Sequence, residues 1–240
     1  MAPPRKTIFA LVISLSKPDE LASRNEHFIS TLRSKIRTVQ ASNSQNALRY
    51  LADIDLECVV VADEGINDEK NSAVLSSLMG WAKAGGTAVI ACLFPSSISG
   101  SKSDRFFEKW GVPWKMGNRN RATFVLNRMN RQLYYHLDNL KASYSMEALC
   151  LKGVKDKDVL YAPPEDADKF KLKYEDDWEG EAKDEGSSIQ FHDFPPPLVE
   201  LPHVAAAFTR IGKGFLGYIG DVCAEEETTS VIFTMLLRWD

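Results

Sequence analysis

Three short apolar runs, at residues 7–15, 58–63 and 85–92, constrain the fold of this chain more than any other feature. Each is nearly continuous, which is the pattern of strands buried on both faces, and helical periodicity separates them. Leu21, Phe28, Ile29, Leu32 and Ile36 recur at helical spacing and predict a helix over about 18–35, with Ser16 as N-cap and Pro18, Asp19 and Glu20 in the first turn. Residues 36–41 read as a short second strand, and Ala47, Leu48 and Leu51 mark a further helical stretch. Val74, Leu75, Leu78, Met79 and Ala82 form one face of the next helix, which stops at Gly85-Gly86. Alternation of strands and helices implies right-handed crossovers and a doubly wound, mostly parallel α/β sheet with helices on both faces.

Past Cys92 the signals are shorter. Residues 96–103 read as a serine and glycine loop, 104–110 as a short helix ended by Gly111 and Pro113, and 122–126 and 159–161 as strands. Residues 163–188 are acid-rich with little apolar periodicity, the composition of a surface excursion. Residues 204–209 and 215–219 flank Ile211-Gly212-Lys213-Gly214 in the pattern of an antiparallel hairpin, and a helix over about 228–239 follows.

The 240 residues, 44% apolar, suffice for one domain over residues 1–240. A formal charge of −4 offers no broad attraction for nucleic acid or an anionic membrane surface. Arg5 and Lys6 ahead of an apolar run imitate a signal peptide, but the run is short and β-branched, and no small-x-small cleavage pattern follows. No run approaches the ~20 apolar residues of a membrane helix. Cys58, Cys92, Cys150 and Cys223 form no Cys-x-x-Cys pair and no zinc spacing with the histidines, and read as reduced thiols of a cytoplasmic protein. No cofactor or metal is expected; a small molecule or a protein remains as partner, and self-association stays open.

Gly212-Lys213-Gly214-Phe215-Leu216-Gly217 matches the dinucleotide fingerprint G-x-G-x-x-G letter for letter. That chemistry needs the glycines between a strand and a helix N-terminus, whereas here they lie between two strands, so a hairpin turn is the better account. Cys92 stands at the carboxyl end of its strand, where open α/β sheets bind ligands, and is the candidate nucleophile. Its apolar neighbours Ala91, Leu93 and Phe94 would raise a thiol pKa and favour a packing role. Asp63, Glu64 and Gly65 end the preceding strand and either face the same crevice or cap the next turn. Asp221, ahead of three consecutive glutamates, is a similar case. Arg119 and Arg121, on a stretch read as a loop, could grip a carboxylate or phosphate. Together with Phe94 these residues form the candidate ligand crevice. His136, His192 and His203 lie near apolar residues, and none stands in His-x-Glu or His-Glu-x-x-His spacing.

Four segments carry a resemblance: Val60-Val61-Ala62-Asp63, Gly85-Gly86-Thr87-Ala88-Val89-Ile90, Phe107-Glu108-Lys109-Trp110-Gly111-Val112-Pro113-Trp114, and the Gly212 to Asp221 stretch. With them the chain resembles the class I glutamine amidotransferase-like superfamily, and within it the divergent ThuA-like members, over most of its length outside 163–188. The resemblance implies a flavodoxin-like three-layer sandwich with a C-terminal antiparallel hairpin. It also implies a cysteine in a Gly-x-Cys-x-Gly elbow, activated by a late His-x-Glu pair. Here Ile90 and Phe94 hold the glycine positions, and neither His192-Asp193-Phe194 nor His203-Val204-Ala205 supplies the pair. The expectation is an amidotransferase-like domain without glutaminase activity, binding a small molecule or protein partner at the carboxyl ends of the strands. The alternative is a hydrolase using Cys92 or the Asp63 and Glu64 carboxylates in an unconventional site.

Overall fold

The computed structural model, which describes residues 8–98, 100–130, 132–164 and 203–237, is built on one nine-stranded sheet. Its strands are β1 (Phe9–Ile13), β2 (Arg37–Ala41), β3 (Leu56–Val61), β4 (Thr87–Ile90), β5 (Lys115–Leu126), β6 (Ser143–Lys152), β7 (Val159–Ala162), β8 (Ala206–Ile211) and β9 (Gly214–Ile219). The α-helices among the described residues are α1 (Pro18–Arg24), α2 (Glu26–Lys35), α3 (Ser44–Leu51), α4 (Ser72–Ala84), α5 (Phe94–Ser97), α6 (Gly100–Trp110) and α7 (Glu226–Leu236). The spatial strand order is β2-β1-β3-β4-β9-β8-β7-β5-β6. Pairing is parallel from β2 to β9 and antiparallel from β9 to β6, so the sheet is mixed.

The parallel half follows from two-sided burial. Every residue of β1, β4 and β9 is buried, and alternate side chains enter two separate cores. Ala10, Val12, Cys58, Val60 and Val89 meet α2 and α7 through Phe28, Leu32, Ile232 and Met235. Phe9, Leu11, Val59, Val61, Ala88 and Ile90 meet α3, α4 and α6 through Leu51, Leu75, Leu78, Phe106 and Trp110.

Several local expectations shift. The helix expected over 18–35 is two helices, broken at Asn25 (φ −116°, ψ 28°), and Lys17 rather than Ser16 occupies the N-cap position. Residues 96–103 are not a loop throughout, because α5 and α6 take up most of them. Strand β5 begins at Lys115, seven residues before the expected start at 122, and β6 was not expected at all. These two pair as a long antiparallel ribbon, which lets the polar first half of β5 face water. Residues 165–188 of the acid-rich excursion, and His192, lie outside the described residues. No helix among the described residues is long and apolar enough to cross a membrane.

The glycines of the G-x-G-x-x-G stretch are explained by close packing. The β8–β9 turn docks under the α4–β4 connection, with Lys213 N donating to Lys83 O (2.9 Å) and Phe215 N to Gly86 O (3.0 Å). Gly212 takes the left-handed conformation (φ +59°), and a Cβ on Gly214 would lie 2.1 Å from Ala82 O. A Cβ on Gly217 would meet Met235 Sδ of α7 at 2.7 Å. Further on, β6 folds back across the end of β9, where Leu149 N donates to Gly220 O at 2.8 Å and Val222 N to Glu147 O at 2.9 Å. Gly220 permits this, because a Cβ there would lie 2.2 Å from Leu149 O.

One carboxylate sets the path of the chain leaving β1. Asp63, 1% exposed, accepts from Ser14 Oγ (2.5 Å), Leu15 N (3.2 Å), Ser16 N (3.2 Å), Lys17 N (3.0 Å) and Gly65 N (2.9 Å). It thereby ties the β1–α1 loop to the 3-10 turn after β3, where Gly65 approaches so closely that a Cβ would lie 2.8 Å from Ser16 N.

Three substitutions test this account by chemical denaturation. Asp63→Asn places an amide NH2 against this set of donors and should lower stability by about 2–4 kcal/mol, since buried donors left unpaired cost roughly 1–3 kcal/mol each. Gly214→Ala should cost about 2 kcal/mol or more through overlap with backbone carbonyls, whereas Gly80→Ala, exposed within α4 and with nothing near its Cβ position, should gain about 0.5–1 kcal/mol.

Candidate functional site

Strands β3, β4 and β9 are neighbours, so Asp63, Cys92 and Asp221 follow three adjacent carboxyl ends. Ala91 N still pairs with Val61 O (3.1 Å); then the chain turns sharply into α5, with Phe94 N donating to Ala91 O (3.2 Å). Cys92 makes that turn in the left-handed region, at φ +63°. A non-glycine residue there carries strain of order 1–2 kcal/mol. The backbone therefore makes a left-handed turn at Cys92 even though Ile90 and Phe94, not glycines, stand two residues to either side.

The thiol itself is poorly placed for attack. Cys92 is 8% exposed; burial pushes its pKa well up, and the nearby Asp221 carboxylate pushes it further in the same direction. Among the described residues its Sγ has no hydrogen-bond partner, so no histidine is bonded to it. The adjoining cavity, lined in part by Asn25, His27, Asp221, Thr228 and Thr229, measures about 30 Å³, room for about one water.

Asp221 is committed to the loop leading into α7. Its Oδ1 accepts from Cys223 N (2.8 Å), and its Oδ2 from Glu225 N (2.8 Å) and Thr228 Oγ1 (2.5 Å). Tyr144 Oη donates in turn to Thr228 Oγ1 (3.2 Å). Burial raises the Asp221 pKa, opposed by the Thr228 hydrogen bond. The same loop carries Ala224 at φ +59°, and Arg24 of α1 holds it through Nη2 to Val222 O (2.9 Å).

The remaining sequence candidates do not converge here. Asp63 and Gly65 serve the β1–α1 loop, and Glu64 pairs with Lys17 at 3.6 Å. Phe94 is no crevice residue: it is fully buried against Phe106, ring centroids 5.0 Å apart. Arg119 and Arg121 lie in strand β5 rather than in a loop, and both meet carboxylates, Arg119 with Glu147 (2.7 Å) and Arg121 with Glu225 (3.0 Å). Exposed pairs of this kind contribute little stability, but they leave neither guanidinium unengaged. No group of three or more His, Cys, Asp or Glu among the described residues could hold a metal ion.

A larger space lies alongside. A cleft of about 510 Å³ runs between α2 and α7, with His27, Thr31 and Lys35 on one wall and Glu226, Thr229, Ser230, Phe233 and Thr234 on the other. His136 and Asn139 close it from the 3-10 turn Tyr134–Asn139. It shares His27 and Thr229 with the small cavity beside Cys92. Of these residues only His136 and Glu226, the latter within the run of three glutamates, stand out in the sequence. The available signal was the polar stripe His27, Thr31, Lys35 at intervals of four, opposite the apolar Phe28, Ile29 and Leu32.

No family model and no curated protein matches the chain in sequence. Solved structures do match in three dimensions. A ThuA-like protein from Bacteroides uniformis superposes with a TM-score of 0.56 at 12% identity, covering 99% of this chain and 94% of that one. A cytoplasmic protein from Salmonella typhimurium LT2 gives 0.56 at 11% identity, covering 97% and 96%. A β-galactosidase from Bacillus circulans gives 0.50 at 12% identity, covering 96% of this chain but 30% of that enzyme. At such identities the likeness concerns the fold alone, since one fold hosts many chemistries. The chain has an α/β fold like that of ThuA-like proteins.

Proposed function

We propose that this chain is a single amidotransferase-like domain, in a flavodoxin-like three-layer arrangement, that binds a small polar molecule in the α2–α7 cleft and has no glutaminase activity. The observation that carries this reading is Cys92, which keeps the left-handed turn of an elbow but lies buried beside an anion. A nucleophilic cysteine needs a base or positive charge beside it to form thiolate, and the Asp221 carboxylate acts in the opposite sense. A carboxylate hydrolase is no better served, because Asp63 is already held by five internal donors. The cleft, at about 510 Å³, falls within the size range of small-molecule sites, roughly 300–1,000 Å³, whereas the space at the strand ends does not. All four cysteines are free, which suits a reducing cytoplasm.

Iodoacetamide at about pH 7.5 should alkylate exposed Cys223 in the native protein and reach Cys92 only on unfolding, since reactivity follows thiolate fraction and access. Ammonia release from glutamine should stay at background in both the wild type and Cys92→Ser. Rapid alkylation of Cys92, together with a hydrolysis that Cys92→Ser abolishes, would overturn the reading.

Stability should also fall as pH rises through the alkaline range. Burial holds the folded-state pKa of Cys92 well up, and those of Cys58 and Cys150 up to about 12. Unfolded thiols ionise near about 8.5, so above that pH the folded state binds more protons and each further unit costs up to about 1.4 kcal/mol per thiol. The buried tyrosines Tyr144, Tyr161 and Tyr218 act in the same direction at higher pH. Denaturation midpoints should therefore drop between about pH 8.5 and 10.5, less steeply in Cys92→Ser.

A further inference from the structure

We infer that the α2–α7 cleft takes a small organic anion, a phosphate or carboxylate borne on a hydroxylated body, with Lys35 facing the charge and His27 and His136 lining the rest of the cleft. This rests on the cleft being the binding site and adds the class of its ligand.

The charge balance of the cleft motivates the choice. Lys35, His27 and His136 face a single carboxylate there, that of Glu226. The Lys35 ammonium lies 4.9 Å from the centroid of Phe233, and no carboxylate among the described residues is within ion-pair distance of it. Lys141, just beyond the cleft, differs in being held by Glu227 at 2.5 Å. A cation whose nearest partner is an aromatic face keeps most of its attraction for an incoming anion.

The hydroxylated body follows from the walls between the charges. His27 and Lys35 are eight residues apart on α2, about 12 Å along its axis, so the ligand is extended rather than a bare inorganic ion. Over that span the cleft presents the hydroxyls of Thr31, Thr229, Ser230 and Thr234, which both donate and accept, with Phe233 as the apolar surface. At the His27 end the cleft meets the small cavity of Asn25, whose Oδ1 is buried without a hydrogen-bond partner and can accept from a ligand hydroxyl. A ligand with several hydroxyls and one anionic group matches each of these features, whereas an apolar ligand would leave the hydroxyls and Asn25 unpaired.

Inositol monophosphate and inositol differ only in the phosphate and separate the two levels of the argument. Binding of each to the full chain is measured by calorimetry and by the ring-proton NMR resonances of His27 and His136, assigned through His27→Gln and His136→Gln. Inorganic phosphate and citrate serve as further probes. The phosphate ester should bind at least tenfold more tightly than inositol, shift both histidine resonances, and lose about tenfold in affinity in Lys35→Gln. Unfolding midpoints of the variants, at exposed His27 and Lys35 and half-buried His136, confirm that they remain folded. Equal affinity for the two inositol compounds would overturn the anionic class and leave the cleft as a binding site. If none of the four probes moves His27 or His136, both the class and the site fail.

Discussion

Two-sided burial of the parallel strands is the constraint on which the rest of this structure depends. A strand with no face toward water must have apolar side chains at every position and a covering layer on each side. In β1, β3, β4 and β9 odd and even residues feed separate cores, one closed by α2 and α7 and the other by α3, α4 and α6. At roughly 1.5–3 kcal/mol per fully buried aliphatic side chain, these strands outweigh any polar contact in the molecule. Helix α7 reaches its place only because Gly217 has no side chain to hold Met235 away from the sheet. The helix that walls the cleft is thus positioned by the packing of the sheet.

The polar groups at the strand ends work within that frame as fasteners. Asp63 gathers the β1–α1 loop, and Asp221 gathers the turn into α7, each through backbone N–H groups that would otherwise be stranded. Strand β6 then crosses the end of β9 and bonds on both sides of Asp221. Together these features fill the place where an open α/β sheet would leave a crevice. Cys92 keeps its left-handed turn within this closed end, while usable space opens one layer away, between the helices.

The parallel half of the sheet was legible along the chain, because continuous apolar runs have few other uses in a chain of this composition. The hairpin and its glycines were legible too. Strand β6 escaped notice although Tyr144, Met146, Ala148 and Cys150 alternate with more exposed residues. The first half of β5 resembles a loop because both of its faces are exposed or half-exposed, and its identity comes from hydrogen bonds to β6 rather than from burial. Asn25 hides the break between α1 and α2, since apolar spacing continues across it. Among candidate site residues, Cys92 and Asp221 do come together. Arg119 and Arg121 were misplaced because nothing in their neighbourhood reveals Glu147 and Glu225, which lie 28 and 104 residues away in sequence.

By itself the sequence determined which parallel strands would be buried, where the β8–β9 hairpin would turn, and that Cys92 would stand at a strand end without elbow glycines or a His-x-Glu pair. Those properties are local, set by side-chain polarity, period and backbone freedom. Tertiary structure alone decided that the Asp221 carboxylate lies beside Cys92, that β6 covers the end of β9, and that His27, Lys35 and His136 line one cleft. Charge proximity and cavity shape arise from the packing of elements far apart in the chain, and no local pattern of residues encodes them.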